Sequence, residues 1–175
     1  MRTVLVNILA ACSSFVTLLA GQLDVAVIRF PEQKNPAELQ SAFATVDLFE
    51  LTDADRTRSS NAYLKGGYVL FAQRLRAEPG SSFSTATRLK NSSASVTGRL
   101  DHASTALSIS LVEGIKAGLR AFGKKVYTGS GPLPPGAPHV LGVRQVRGRS
   151  SSVVKEQTRI QSYFLTTVVV AQYAP

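Results

Sequence analysis

Tryptophan is absent from this chain, cysteine occurs once and histidine only twice. With Cys12 alone, no intramolecular disulfide and no cysteine-based zinc site is possible. His102 and His139 are far apart in sequence, and neither has a His or acidic neighbour at metal-ligand spacing. Walker, dinucleotide-glycine and nucleophile-elbow motifs are missing as well. Serines are many, but a nucleophilic Ser needs a base and a group that orients it. Asp53 and Asp55 offer two carboxylates followed by Arg56, too few oxygens for a divalent cation, and read as a capping or turn cluster. These absences predict no catalytic residue, no metal, no cofactor and no enzyme activity. Aromatics are sparse too, so aliphatic residues must fill most of the core.

Acidic residues nearly vanish after Leu64. Through Tyr63 the chain has five basic and seven acidic residues, net −2; from Leu64 onward it has fifteen basic and four acidic, net +11. So lopsided a charge predicts an anionic partner, such as a polymer, a lipid headgroup or an acidic protein surface. The candidate contacts are Arg74, Arg76, Arg88, Arg144 and Arg159 on predicted strands, with Arg147 and Arg149 just beyond the end of one. Nucleic-acid readout is disfavoured, because such sheets interleave stacking aromatics and these strands have few. Tyr68, Phe71, Phe83, Tyr163 and Phe164 are assigned to the core or to an interface.

What is present begins with an uncharged stretch. Arg2 is followed by no charge from Thr3 to Leu23, and the pattern of a basic start, an apolar middle and small residues at Ala20-Gly21 is that of a secretory signal peptide. Leu9-Ala10-Ala11-Cys12 resembles a lipobox, which marks Cys12 as a lipidation candidate. The same stretch also fits a retained first helix or a membrane anchor of about 20 residues. Residues 1–21 are therefore set apart from a single domain over 22–175.

At 175 residues, with 44% hydrophobic and 18% charged content, the chain suits one folded domain. Leu23–Phe30 reads as a strand stopped by Pro31. Asn35-Pro36 supplies an N-cap and a first-turn proline for a short helix. Thr45–Leu51, Tyr68–Arg76, Phe83–Leu89, Ala94–Leu100, His139–Val146 and Lys155–Tyr173 read as strands, with Pro79-Gly80 as a turn. Ser104–Phe122 reads as a helix, because Leu107, Leu111, Ile115, Leu119 and Phe122 recur at helical spacing before Gly123; its beginning also suits a strand. Tyr68–Leu100 aligns with His139–Ala171 at a constant offset, with six identical positions, which suggests a duplication. The expected fold is α+β: two repeated helix-strand-strand-strand units, about 23–100 and 104–173, forming one mainly antiparallel sheet. Val168 and Val170 on one face of the last strand, with Val169 and Tyr173 on the other, predict a strand buried on both sides and hence an oligomer interface.

A resemblance follows from four segments. These are Leu23–Phe30; a helix carrying Leu39 and Phe43; Phe49, Leu51 and Arg56; and Gly67-Tyr68-Val69-Leu70. In that order they resemble bacterial envelope lipoproteins of the curli-secretion, penicillin-binding-protein-activator and Tol N-terminal-domain type, over residues 23–100. The resemblance implies no catalytic residues and a role in periplasmic assembly or scaffolding. The expected function is accordingly a non-enzymatic envelope structural or assembly protein, periplasmic or outer-membrane associated, that joins a homo-oligomer or larger assembly and binds proteins or anionic polymers. A virion or tail-assembly ring component is the alternative.

Overall fold

In the computed structural model, the described residues are 20–48, 66–89, 92–101, 103–114, 121–154 and 157–175. Alternation of apolar and polar residues yields eight strands: β1 (Gly21–Phe30), β2 (Tyr68–Ala77), β3 (Ser82–Leu89), β4 (Ser92–Arg99), β5 (Thr105–Gly114), β6 (Ala121–Gly131), β7 (His139–Val154) and β8 (Gln157–Ala174). Among the described residues one helix, α1 (Pro36–Phe43), lies between β1 and β2. The strands form two four-stranded sheets, one ordered β2-β1-β8-β7 and the other β3-β4-β5-β6, and every pairing is antiparallel. The second sheet is a plain meander. In the first, the earliest and latest described strands pair at the centre, Gln22 opposite Ala174 through Phe30 opposite Thr166.

Two apolar layers hold these parts together. Between the sheets, Leu23, Val25 and Val27 of β1 and Val169, Ala171 and Tyr173 of β8 pack with Val96 of β4 and Leu107, Ile109 and Leu111 of β5. On the outer face of the first sheet, Ala26, Ile28, Phe30, Val168 and Val170 are covered by Leu39 and Phe43 of α1 and by Val46 and Leu48 beyond it. The order of layers is sheet, sheet, helix. The helix starts as its sequence requires, with Asn35 as N-cap accepting from the Ala37 N–H at 3.1 Å and Pro36 in the first turn.

The chain crosses from one sheet to the other at Glu78-Pro79-Gly80-Ser81. Gly80 has φ +79°, and the Ser81 N–H donates to the Glu78 carbonyl at 3.1 Å, the geometry of a type II turn with Pro and Gly in their required places. On the opposite side of the sandwich β6 and β7 close on each other through glycines. A Cβ on Gly129 would lie 2.8 Å from the Leu141 Cβ, and one on Gly142 would run into the Thr128 carbonyl. Only backbone fits there.

Several expectations fail. The described residues form a two-sheet β-sandwich with one helix, not an α+β pair of repeats. Thr105–Gly114 and Ala121–Phe122 of the expected Ser104–Phe122 helix are strand. Leu107, Ile109 and Leu111 are buried while Ala106 is exposed, so β5 obeys period two. Thr45–Leu48 of the expected second strand is not strand, and the remainder of that segment lies outside the described residues. The duplication also fails. Tyr68–Leu100 holds three strands divided between the two sheets, whereas His139–Ala171 is one long hairpin within a single sheet. Arg88 pairs with Ser93 and Arg159 with Ser152, in different sheets. The stretch at 1–19, with Cys12, and the Asp53/Asp55 pair lie outside the described residues.

Candidate interaction arm

Pro31 ends β1 at Phe30, and β8 therefore loses its β1 neighbour before Thr166. The hairpin of β7 and β8 continues regardless. Val146–Val154 pairs with Gln157–Leu165 through nine successive cross-strand pairs, and among the described residues none of them has a third strand beside it. At ~3.3 Å per residue this is a two-stranded ribbon about 30 Å long.

Its surface is unlike that of the body. Six large hydrophobic side chains are exposed among the described residues, and four of them, Val146, Ile160, Tyr163 and Phe164, are on this ribbon. Ile160 is 68% exposed. Between Arg144 and Leu165 the sequence carries five basic residues and one acidic residue. Alternation places Arg147, Arg149, Ile160 and Phe164 on the face continuous with the helix-covered side of the sheet. Val146, Gly148, Tyr163 and Leu165 are on the other.

A free ribbon of two strands is marginal in water, and local contacts support this one. The Tyr163 ring lies over Gly148, its cross-strand partner, where a Cβ would collide with the ring. The Arg147 guanidinium stands 5.2 Å from the centre of the Phe164 ring, within cation–π range. At the root, the Gln145 side-chain amide donates to the Lys34 carbonyl at 2.5 Å and the Thr166 hydroxyl to the Glu32 carbonyl at 2.7 Å. The Lys34 N–H returns a bond to the Thr166 hydroxyl at 3.1 Å. The segment after β1 thus clamps the base of the arm.

The structure divides the seven candidate arginines instead of gathering them into one band. Arg144, Arg147, Arg149 and Arg159 belong to the arm and its root. Arg88 is exposed on the second sheet, beyond the sandwich core. Arg74 and Arg76 lie on the helix side of β2. Arg74 is already engaged: its Nε and Nη2 donate to the two carboxylate oxygens of Asp24 at 3.0 and 3.3 Å. Asp24 is fully buried, and burial raises its carboxyl above the ordinary carboxylate range even though Arg74 pulls the other way.

The second-subunit reading of the last strand is corrected. Val168, Val169, Val170 and Tyr173 are all buried within the single chain, because β8 lies between β1 and β7 with one face on the second sheet and the other on α1. Phe71 belongs to the core and Phe83 packs against it, whereas Tyr68, Tyr163 and Phe164 are exposed. The arm escaped sequence reading although its signal is visible. Arg147, Gly148, Arg149 and the run Ser150-Ser151-Ser152 are too polar for any buried strand, yet they continue an uninterrupted β7.

Among the described residues no group of three or more His, Cys, Asp or Glu is placed to hold a metal ion. No helix among them is long and apolar enough to cross a membrane. No family model matches the chain, and no curated protein matches it. Among solved structures, one similarity is to the secretin InvG of the Salmonella SPI-1 type III secretion injectisome, residues 176 to the end in the open gate state. It has a TM-score of 0.30 and 8% identity and covers 89% of this chain and 58% of that one. The chain thus spans less than two thirds of that chain's length, and a likeness of this size carries no weight for function.

Proposed function

We propose that this protein is a non-enzymatic structural or assembly protein of the cell envelope that captures an anionic partner with the β7–β8 arm. One observation carries the reading: a ribbon about 30 Å long leaves the sandwich with arginines on it and with four of the six exposed large hydrophobics among the described residues. Folded proteins seldom hold an apolar and cationic ribbon in solvent without a partner, since exposed strand surface invites aggregation. Arginine beside an aromatic ring suits an anionic partner with some apolar surface, because the guanidinium binds oxyanions while the ring excludes water. The envelope assignment rests on the signal-like pattern of residues 1–21.

The test is retention of the full chain on immobilised heparin under a salt gradient. Arg147→Glu combined with Arg149→Glu is expected to lower the eluting salt sharply, because fewer counterions are then released on binding. Reversal of Arg88, on the second sheet, is expected to change it much less. Equal effects from the two reversals would reduce the arm to one charged surface among others and sink the reading.

A further inference from the structure

A cleft of about 260 Å³ opens where the arm leaves the sandwich, on the face opposite Arg147 and Arg149, lined among others by Tyr127, Thr128, Gly142, Arg144 and Thr167. Tyr127 comes from β6, Arg144 from β7 and Thr167 from β8, and Arg144 is the cross-strand partner of Thr167. Tyr127 and Thr167 are more than nine-tenths buried, at 5% and 6% exposure, whereas Arg144 is exposed at the mouth.

Behind the cleft, Arg29 of β1 donates from Nη2 to the Tyr127 hydroxyl oxygen at 2.7 Å and from Nε to the Thr167 hydroxyl at 3.4 Å. A guanidinium has donors only, so both hydroxyls must accept from it. A hydroxyl that has accepted retains its own O–H to give, and a cation behind it strengthens that donor. Tyr127 and Thr167 therefore each keep an O–H donor, and both line the same cleft as Arg144. A set of donors with cations in front and behind is complementary to an anion. Donors on three different strands suit a tetrahedral oxyanion better than a planar carboxylate. The volume is ample, several times the ~30 Å³ of one water molecule.

We propose that this cleft is an oxyanion site that takes a phosphate group. The inference rests on the arm reading only for what bears that group: a partner lying along the arm would place a phosphate at its root. A lipid headgroup, a phosphate-bearing polymer and free phosphate all carry that group, and the chemistry at the cleft is the same for each.

The experiment follows backbone amides of the full chain by NMR during titration with inorganic phosphate, with chloride at matched ionic strength as control. Saturable shifts are expected at Tyr127, Thr128, Gly142, Val143, Arg144 and Thr167. Arg144→Gln, at an exposed position, is expected to keep the fold and weaken phosphate by about tenfold or more, as befits loss of a charge-assisted bond. Tyr127→Phe, which removes one hydroxyl and leaves the ring, is expected to weaken it similarly. Shifts that never saturate, that chloride reproduces, or that both variants leave unchanged would overturn the site. Competition by phosphatidylglycerol vesicles but not soluble polyphosphate assigns the source to lipid; the reverse assigns it to a polymer; competition by neither leaves free phosphate. The Arg147→Glu and Arg149→Glu pair separates the two proposals. It should sharply lower the salt at which heparin releases the chain while phosphate still binds the cleft, and heparin retention of the wild type without phosphate binding would refute the cleft alone.

Discussion

Two deletions on one strand and one face test the division of the hairpin into a buried half and a bare half. Val168 and Ile160 are both on β8, eight residues apart and on the same side, yet Val168 is 0% exposed and Ile160 68%. Val168 packs in the layer beneath α1 with Ile28, Phe30 and Phe43. Val168→Ala removes two carbons there, at about 0.8 kcal/mol each for transfer alone, and a cavity penalty brings the cost to about 2–3 kcal/mol. Ile160→Ala removes three carbons, the larger deletion, from a side chain already in water, and should stay within about 0.5 kcal/mol. Equilibrium urea unfolding reads both, with the m-value unchanged. At about 2–4 °C per kcal/mol for a chain of this size, Val168→Ala should lose about 4–12 °C in Tm. If Ile160→Ala costs more than 1 kcal/mol, the arm packs on its own chain and is not a projecting ribbon. If Val168→Ala costs as little as Ile160→Ala, α1 does not cover β8.

Three further perturbations follow from local chemistry. Because burial raises the Asp24 carboxyl, this group favours folding most below its unfolded value of about 3.9 and less as pH rises through the folded value. The stability of the wild type relative to Asp24→Asn should therefore fall between acid and neutral pH in paired urea titrations, and a rise would mean that Arg74 outweighs burial. Asn35→Ala removes the cap of α1 and should cost about 1 kcal/mol by thermal unfolding, with Asn35→Gly costing only a few tenths; no loss in Asn35→Ala would show that the side-chain bond to Ala37 contributes nothing. Gly142→Ala adds a Cβ against the Thr128 carbonyl, and prying β6 from β7 should cost about 1–3 kcal/mol; an unchanged melting point would contradict so close an approach.

Much of this molecule was determined by local chemistry. Proline and glycine at 79–80 make a type II turn wherever they lie, Asn35-Pro36 caps a helix, and Pro31 stops a strand. Strict alternation at Ala94 and Val96 suffices to turn those side chains into a core. Residues 105–114 were another matter. A spacing of four is a multiple of two as well as nearly one helical turn, so Leu107 and Leu111 satisfy helix and strand alike. The tertiary structure decided, because β4 and β6 offer hydrogen-bonding edges on both sides of that segment. The last strand posed the same kind of question. Val168, Val169 and Val170 state that both faces must be buried, and a sequence cannot say by what. Pairing β8 beside β1 brings α1 to one face and the second sheet to the other, so the chain covers its own strand. The arm belongs to the same class of fact: its arginines and aromatics were legible one by one, but their exposure follows from β1 ending at Phe30 while β7 and β8 run on. Sequence carries periodicity and turn chemistry, which act within a few residues. Which strand lies next to which, and what is left without a neighbour, is settled only when the whole chain competes for the same buried surface.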